Sequence, residues 1–456
     1  MRSWIYAAAL SVTLTNCLAA QHLTAPLLSG SWQSTYHNPA MLHFLPDRVT
    51  VGLPGIANDL QLENLRYGDI VVREGGNRIV QFDIWSDQAE EQNEVRNAFS
   101  IETLGLAVRA GDFVFSGYHR LRTVGQAEYH KRLIELVAMG NAPFIGQTVE
   151  IAPVGEIVSF QELGLSASYA IDERIAISGR IKYLVGVSAI QTGGGNSLQL
   201  TTGTENYALT LQQDLTLNTV RAVDYRMLDD FNFTYSPSRL RPGDFFTANN
   251  GLALDLGVAV NLDRLRLNAS ATDIGAAIEW KEEITNFHFN GTQSFTGLDI
   301  ITDLLRDTVS LEEAVDSLVR TFEPGRTTEG FRSEIGATYY LGGEYDVTDQ
   351  ITAGALLVLG DGPGGLTPTI ALTGRYTIND WLQAGINLNH RAGIRTNIGL
   401  HVYATPGRFR LFASSDKFFT LIGSGSPALA GIRLGASLSL GTPSGERSRP
   451  ASSFRP

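Results

Sequence analysis

The chain of 456 residues contains one cysteine, Cys17. It sits in an N-terminal stretch with the features of an export signal, so a processed chain would have no thiol for a disulfide or a thiolate metal site. Beyond that stretch no apolar run reaches the 18 or so residues a membrane-crossing helix needs. The eight histidines, at 22, 37, 43, 119, 130, 288, 390 and 401, show no metal-ligand spacing. No G-x-S-x-G nucleophile elbow occurs. Gly193-Gly194-Gly195-Asn196 lacks the Lys-Ser/Thr of a phosphate loop. Residues 360–365 lack the carboxylates of a calcium loop. A net charge of -12 argues against nucleic acid as the main partner. Neither a cofactor nor an enzymatic activity is expected, and an outer-membrane hydrolase falls for want of a nucleophile and base.

At the N-terminus, Arg2 precedes an apolar stretch over 4–14, and Cys17-Leu18-Ala19-Ala20 ends it. A short positive region, an apolar region and small residues describe a secretory signal cleaved after Ala19 or Ala20. Asn16 argues against a lipoprotein signal, which wants a small residue before the cysteine. The expected organisation is a signal peptide over 1–20, an N-terminal segment over 21–47, a β domain over 48–441 and a polar tail over 442–456 that is disordered.

The β domain announces itself at 251–280. Leu254, Leu256, Val258, Val260 and Leu262 alternate with Asp255, Gly257, Ala259 and Asn261. After Asp263-Arg264 the alternation restarts in register at Leu265 and Leu267, as a hairpin requires. One face suits lipid or a dry core and the other suits water. The same period recurs over 104–123, 163–185 and 333–440, with tight turns at Asp349-Gln350, Asn379-Asp380 and Pro406-Gly407. Short strands are expected near 70–72 and 79–84, and a short helix over 130–139. The one long amphipathic helix is expected over 299–322, where Leu304, Leu305, Val309, Leu311, Val315, Leu318 and Val319 recur at three- and four-residue steps.

Many alternating strands, short turns at one end, long loops at the other and an export signal predict an all-β fold. It is a transmembrane antiparallel barrel of about 14 strands, within about 12 to 16. Closure satisfies every backbone group in lipid. The competing architecture is a secreted sandwich or propeller with apolar residues facing a dry core. For the short turns to share one end, residues 196–250 and 284–330 must each hold an odd strand or an extra hairpin.

Parity sorts side chains between lipid and lumen. It sends Arg109, Arg180, Lys182, Arg266, Arg332, Arg375, Arg395, Arg408, Arg410 and Arg433 inward, with only Asp255, Asp273 and Glu334 against them. The lumen is therefore expected to be basic. Buried cations need partners, and an acidic plug from the helix at 299–322 could supply them. Asp273 bonded to an interior arginine, with Trp280 at a membrane interface, is the favoured reading of that pair.

Thr272-Asp273-Ile274-Gly275 with Trp280, Phe295-Thr296-Gly297-Leu298-Asp299, Asn38-Pro39-Ala40 and Ser415-Asp416-Lys417 resemble an uncharacterised family of Bacteroidota outer-membrane barrels, a domain of unknown function, over about 31–440. That family looks similar to FadL-like transporters and to the PorV-like barrels of type IX secretion. The resemblance implies an outer-membrane location and a lumenal hatch holding Asn38, Pro39 and Ala40. The final strand departs from the pattern, ending in Leu440-Gly441 rather than a terminal aromatic. Two functions follow as expectations. One is a FadL-like channel for a small or hydrophobic molecule. The other is a non-conducting scaffold that docks secretion machinery or another partner through its long loops.

Overall fold

The computed structural model describes residues 23–62, 70–74, 77–193, 195–205, 207–225, 231–233, 243, 246–295, 324–361, 366–391, 394–418 and 431–441. The expected signal peptide at 1–20, the helix at 299–322 and the tail at 442–456 lie outside these residues.

Fourteen strands close into an antiparallel barrel. They are β1 (Val49–Leu62), β2 (Gln92–Ala110), β3 (Phe113–His130), β4 (Val154–Ala170), β5 (Ile175–Thr192), β6 (Asn250–Leu262), β7 (Leu265–Ile274), β8 (Thr338–Asp346), β9 (Ile351–Gly360), β10 (Thr367–Asn379), β11 (Leu382–Arg391), β12 (Ile394–Ala404), β13 (Phe409–Ser415) and β14 (Ile432–Leu440). Closure comes from β1, whose Val49 lies opposite Val108 of β2 on one side and Leu440 of β14 on the other. Beyond a break, Ala277–Trp280 prolongs β7 and pairs with Phe331–Glu334, which leads into β8.

The alternation decides which way each strand faces. Leu165, Ile181 and Leu252 are 72%, 64% and 63% exposed, whereas Glu162, Lys182 and Asp255 on the same strands are fully buried. A soluble sandwich would show the reverse. Here the apolar rows point outward and the charged rows point into the lumen, the arrangement of a barrel built to sit in lipid.

Short turns crowd one end. Gly111 between β2 and β3 and Asp263 between β6 and β7 both take positive φ, at 63° and 52°. Left-handed backbone suits a tight hairpin between right-twisted strands. The opposite end carries folded projections. Ser197–Thr202, Leu209–Val220 and Ile284–Phe295 form a sheet that leaves β5 where Val220 pairs with Ala189. This resolves the parity problem differently from the expectation: among the described residues, Ser197–Thr202, Leu209–Val220 and Ile284–Phe295 stand above the wall and add no strand to it. Two short helices, α1 (Phe82–Gln88) and α2 (Lys131–Met139), share a small core of Phe82, Trp85, Tyr129 and Ile134 beside that sheet. The strand expected over 79–84 ends at Val80, and α1 takes Phe82 because Phe82 and Trp85 reach that core from one helical face.

Candidate functional site: the plugged lumen

Residues 23–45 run inside the barrel as three short 3₁₀ helices, Ala25–Leu27, Trp32–Tyr36 and Pro39–Phe44. Local chemistry starts each of the last two. Ser31 accepts from the Ser34 N–H at 3.2 Å, and Asn38 Oδ1 accepts from the Ala40 N–H at 2.9 Å. Asn as cap followed by Pro at the first helical position is the arrangement a helix start favours. Asn38-Pro39-Ala40 is thus a capped turn, and all three residues are buried in the lumen.

The wall is cut to receive this segment. Gly52 of β1 and Gly105 of β2 are register partners, and a Cβ at either would overlap the Trp32 ring. Gly257 makes room in the same way for the Asn38 carboxamide, and Gly435 for Gln33. Leu27 rests on Gly342. Absent side chains let the plug touch wall backbone directly. Asn38 Nδ2 donates to Val258 O at 3.1 Å and Ala269 O at 3.3 Å. Arg180 Nη2 donates to Thr35 O at 2.7 Å, and Ser270 Oγ donates to His37 O at 2.7 Å.

Around the plug lies a charge network. Lys182 Nζ stands 2.7 Å from Asp255 Oδ1, 2.8 Å from Asp273 Oδ1 and 3.9 Å from Glu162. Arg120 and Arg122 each approach Glu162 at 2.8 Å, and Arg122 also meets Asp273 at 3.1 Å. The Tyr118 hydroxyl donates to Glu162. Arg180 pairs with Asp255 at 3.1 Å. Arg433 reaches Glu102 and His37 Nε2, both at 2.6 Å. Tyr36 stacks edge-on to Tyr118, with Arg120 over its ring.

Groups at the two ends of the plug are shifted from their ordinary values. Burial, then the neighbouring Arg109, hold His43 down at about 4. Asp416, just past β13, is pushed up to about 6 by burial, against the pull of the Leu23 N–H and with repulsion from Asp59. Asp416 anchors the start of the plug: it accepts from Leu23 N at 3.1 Å, Thr24 Oγ1 at 3.2 Å and Asn387 Nδ2 at 2.9 Å.

Above the plug a cavity of about 400 Å³ remains. Tyr36 and His37 contribute to its lining from the plug side, with Arg120, Arg122, Asp273 and Arg433 from the wall.

The residues that parity sent inward divide into three groups. Arg180, Lys182, Asp255, Arg266, Asp273 and Arg433 are buried, while Arg375 and Arg410 point inward with 11% and 15% of their side chains exposed. Arg266 pairs with Asp346 at 2.7 Å, Arg375 with Glu344 at 2.9 Å and Arg410 with Asp47 at 3.3 Å. Arg109 donates to His43 O and Leu45 O from the turn end. Arg408, by contrast, is exposed beside Pro406-Gly407, because parity means nothing once the chain leaves the strand for its turn. Arg332 and Glu334 are also exposed and pair with each other at 3.3 Å. There the strand is interrupted between Glu334 and Thr338, so Ser333 is the buried residue, while Glu334 reaches only the open edge of the lumenal cavity. The side chain of Arg395 lies outside the described residues.

The wall holds more carboxylates than the expected Asp255, Asp273 and Glu334. Glu102, Glu162 and Glu344 are buried in the lumen and serve the arginines directly. Glu162 shares its parity with Gly164 and Ser166, so the alternation could have found it. So could the Ser116 parity have found Arg120 and Arg122. Glu102 could not be found that way, because a bulge between Glu102 and Leu104 shifts the register. Trp280 is 1% exposed and lies in a core cluster with Ile278 and Phe160, its Nε1 donating to Ser333 Oγ at 2.9 Å. It is not at a membrane interface.

Comparison with solved structures returns barrels of low similarity. A FadL homologue from Pseudomonas aeruginosa is 12% identical, with a TM-score of 0.42 over 93% of this chain and 97% of that one. The toluene transporter TbuX of Ralstonia pickettii gives 10% identity and 0.41 over 89% and 91%. The toluene transporter TodX of Pseudomonas putida gives 11% and 0.41 over 93% and 97%. No curated protein matches. Residues 39–416, most of the chain, match the model described as a family of unknown function, DUF5723, and the chain belongs to that family.

Proposed function

We propose that this protein is an outer-membrane barrel that admits a small molecule from its long-loop side into the lumenal cavity, with residues 23–45 as the hatch beneath it. The signal peptide at 1–20 delivers it, the short turns face the periplasm, and the apolar rows of β2 to β14 meet outer-membrane lipid. One observation carries the reading: a chamber of about 400 Å³ inside a closed wall, bounded on one side by Tyr36 and His37 of the N-terminal segment rather than by wall residues. Its size suits a single small ligand. Asn38, Pro39 and Ala40 are the hatch turn, seated at Gly257, while Gly52, Gly105 and Gly435 seat Trp32 and Gln33 of the preceding turn.

The experiment locks the hatch. With Cys17 lost in the signal peptide, Gln33→Cys and Gly435→Cys form the only thiol pair, at a site where the two residues touch. Proteoliposomes carrying the oxidised pair should lose solute uptake, and reduction should restore it. Uptake unaffected by a formed disulfide would refute passage past the hatch.

A second reading has its own observation. The projecting sheet and the α1–α2 core are folded bodies on the long-loop side, which suits docking of a partner such as secretion machinery. A stoichiometric partner retained on the wild type and lost when 197–220 is replaced by a short linker would favour it.

A further inference from the structure

The charge network does not balance. Four cations, Arg120, Arg122, Arg180 and Lys182, share three carboxylates, Glu162, Asp255 and Asp273. Among the described residues no other carboxylate pairs with these four. The other acids on the cavity wall are committed elsewhere or exposed: Glu156 accepts from Gln191 at 3.0 Å, Glu334 pairs with Arg332, and Asp361 is open to solvent. An excess cation in a confined, nearly dry site is costly unless something pairs with it.

The excess faces the cavity. Arg120 and Arg122 line it, with 10% and 15% of their side chains exposed, whereas Arg180 and Lys182 are sealed behind them. Arg122 lines the chamber and spends only Nη1 on carboxylates, at 2.8 and 3.1 Å, so Nε and Nη2 are not engaged by them. A guanidinium with a free edge is built for two-point binding of a carboxylate, sulfonate or phosphate. Phe99, Val124, Val158 and Ile335 give the wall an apolar patch, set among polar side chains such as Ser100, Gln126, Thr272 and Thr338.

We propose that the cavity binds a small organic anion, a compact apolar body carrying one negative group that completes the charge balance at Arg120 and Arg122. This rests on the reading of the cavity as a binding chamber, and it names the ligand class: a monoanion in preference to a neutral hydrocarbon.

Two fluorescent probes share one body and differ in charge: 1-anilinonaphthalene-8-sulfonate and neutral N-phenyl-1-naphthylamine. The full-length protein in nanodiscs, with empty nanodiscs subtracted, should bind the sulfonate saturably and at least tenfold more tightly than the neutral probe. Arg122→Met should weaken sulfonate binding at least tenfold and leave the neutral probe unchanged. Because that variant leaves three cations on three carboxylates, its heat-modifiability on a gel should match the wild type. Asp273→Asn raises the excess to two and should tighten the sulfonate, so the test survives even if one variant fails to fold. Equal binding of the two probes, or sulfonate affinity indifferent to both substitutions, overturns the inference. Arg122-dependent sulfonate binding without any uptake in proteoliposomes would keep this inference and sink the passage reading. Uptake of the neutral probe with no sulfonate preference would do the opposite.

Discussion

The two sides of the lumen are built from different chemistry, and the plug reads both. From β2 to β7 the inner wall carries Glu102, Arg120, Arg122, Glu162, Arg180, Lys182, Asp255 and Asp273. Against it lie the polar turns of the plug, with Gln33, Thr35, His37 and Asn38 bonded to wall atoms. Between β9 and β13 the wall in contact with Leu23, Ala25, Leu27 and Leu28 of the plug is Leu356, Val358, Ala371, Asn387, Tyr403 and Phe412, and the inward arginines of these strands, Arg375 and Arg410, are paired with Glu344 and Asp47. An amphipathic segment between two unlike walls has one seating that pairs its polar groups and buries its apolar ones. Turning it over would bury unpaired arginines under leucine, at several kcal/mol each. The difference between the walls therefore fixes the orientation of a segment with only short helical structure of its own.

The comparison breaks most severely on the charged side. Glu162→Gln leaves Arg120, Arg122 and Lys182 with one carboxylate fewer in a fully buried site. It should cost about 3–5 kcal/mol, read as a lower temperature for the gel shift of the folded barrel. Next comes the glycine seat. Gly105→Ala pushes a methyl into the Trp32 ring and should cost about 1–3 kcal/mol, with flickering conductance as the plug lifts. Gly179→Ala, on an open stretch with nothing within 4 Å, should change neither. On the apolar side, Asp416→Ala removes the acceptor that holds Leu23 and Thr24. It should cost on the order of 1 kcal/mol and speed hydrogen exchange at Leu27 and Leu28 but not at Leu45.

The smallest global effect is that of pH, because the two ends of the plug respond with opposite sign. His43 is held down at about 4 against an ordinary 6.5, so its contribution is present above pH 6.5 and lost as pH falls through about 4. Asp416 is held up at about 6 against 3.8, so its contribution is full below pH 3.8 and lost as pH rises through about 6. Moving from pH 7 to pH 4 should raise the amide protection factor, which is corrected for the intrinsic pH dependence of exchange, at Leu27–Leu28 and lower it at Leu45, with little change in the barrel's melting temperature. Protection that moves the same way at both ends would contradict the assignment of the two anchors.

The barrel was legible because period-two alternation is written into nearly every strand, as in Leu254 to Leu262 or Leu163 to Tyr169. Which face is dry was not legible from alternation alone; the structure decides it by placing Leu165 outside and Glu162 inside. Half of the charged site could be read from parity, since Arg180, Lys182, Asp255 and Asp273 sit mid-strand. Its other half escaped for local reasons. A bulge carries Glu102 inward, Arg408 falls in a turn, and Glu344 follows Gly342-Gly343, where no side chain marks either face. The glycine seats could not be read at all. Gly52, Gly105 and Gly435 look like weak points in strands until Trp32 and Gln33, far away in sequence, are placed against them.

The most direct measurement is the conductance of single barrels in planar bilayers, wild type against a chain lacking 21–45 but keeping residues 1–20. The wild type should be closed or nearly so. The deletion should open a steady aqueous pore, because it removes Trp32, Tyr36 and the capped Asn38 turn from a lumen whose wall glycines then face empty space. A deletion variant that folds, shifts on heating like the wild type and still conducts no more than the wild type would contradict the account.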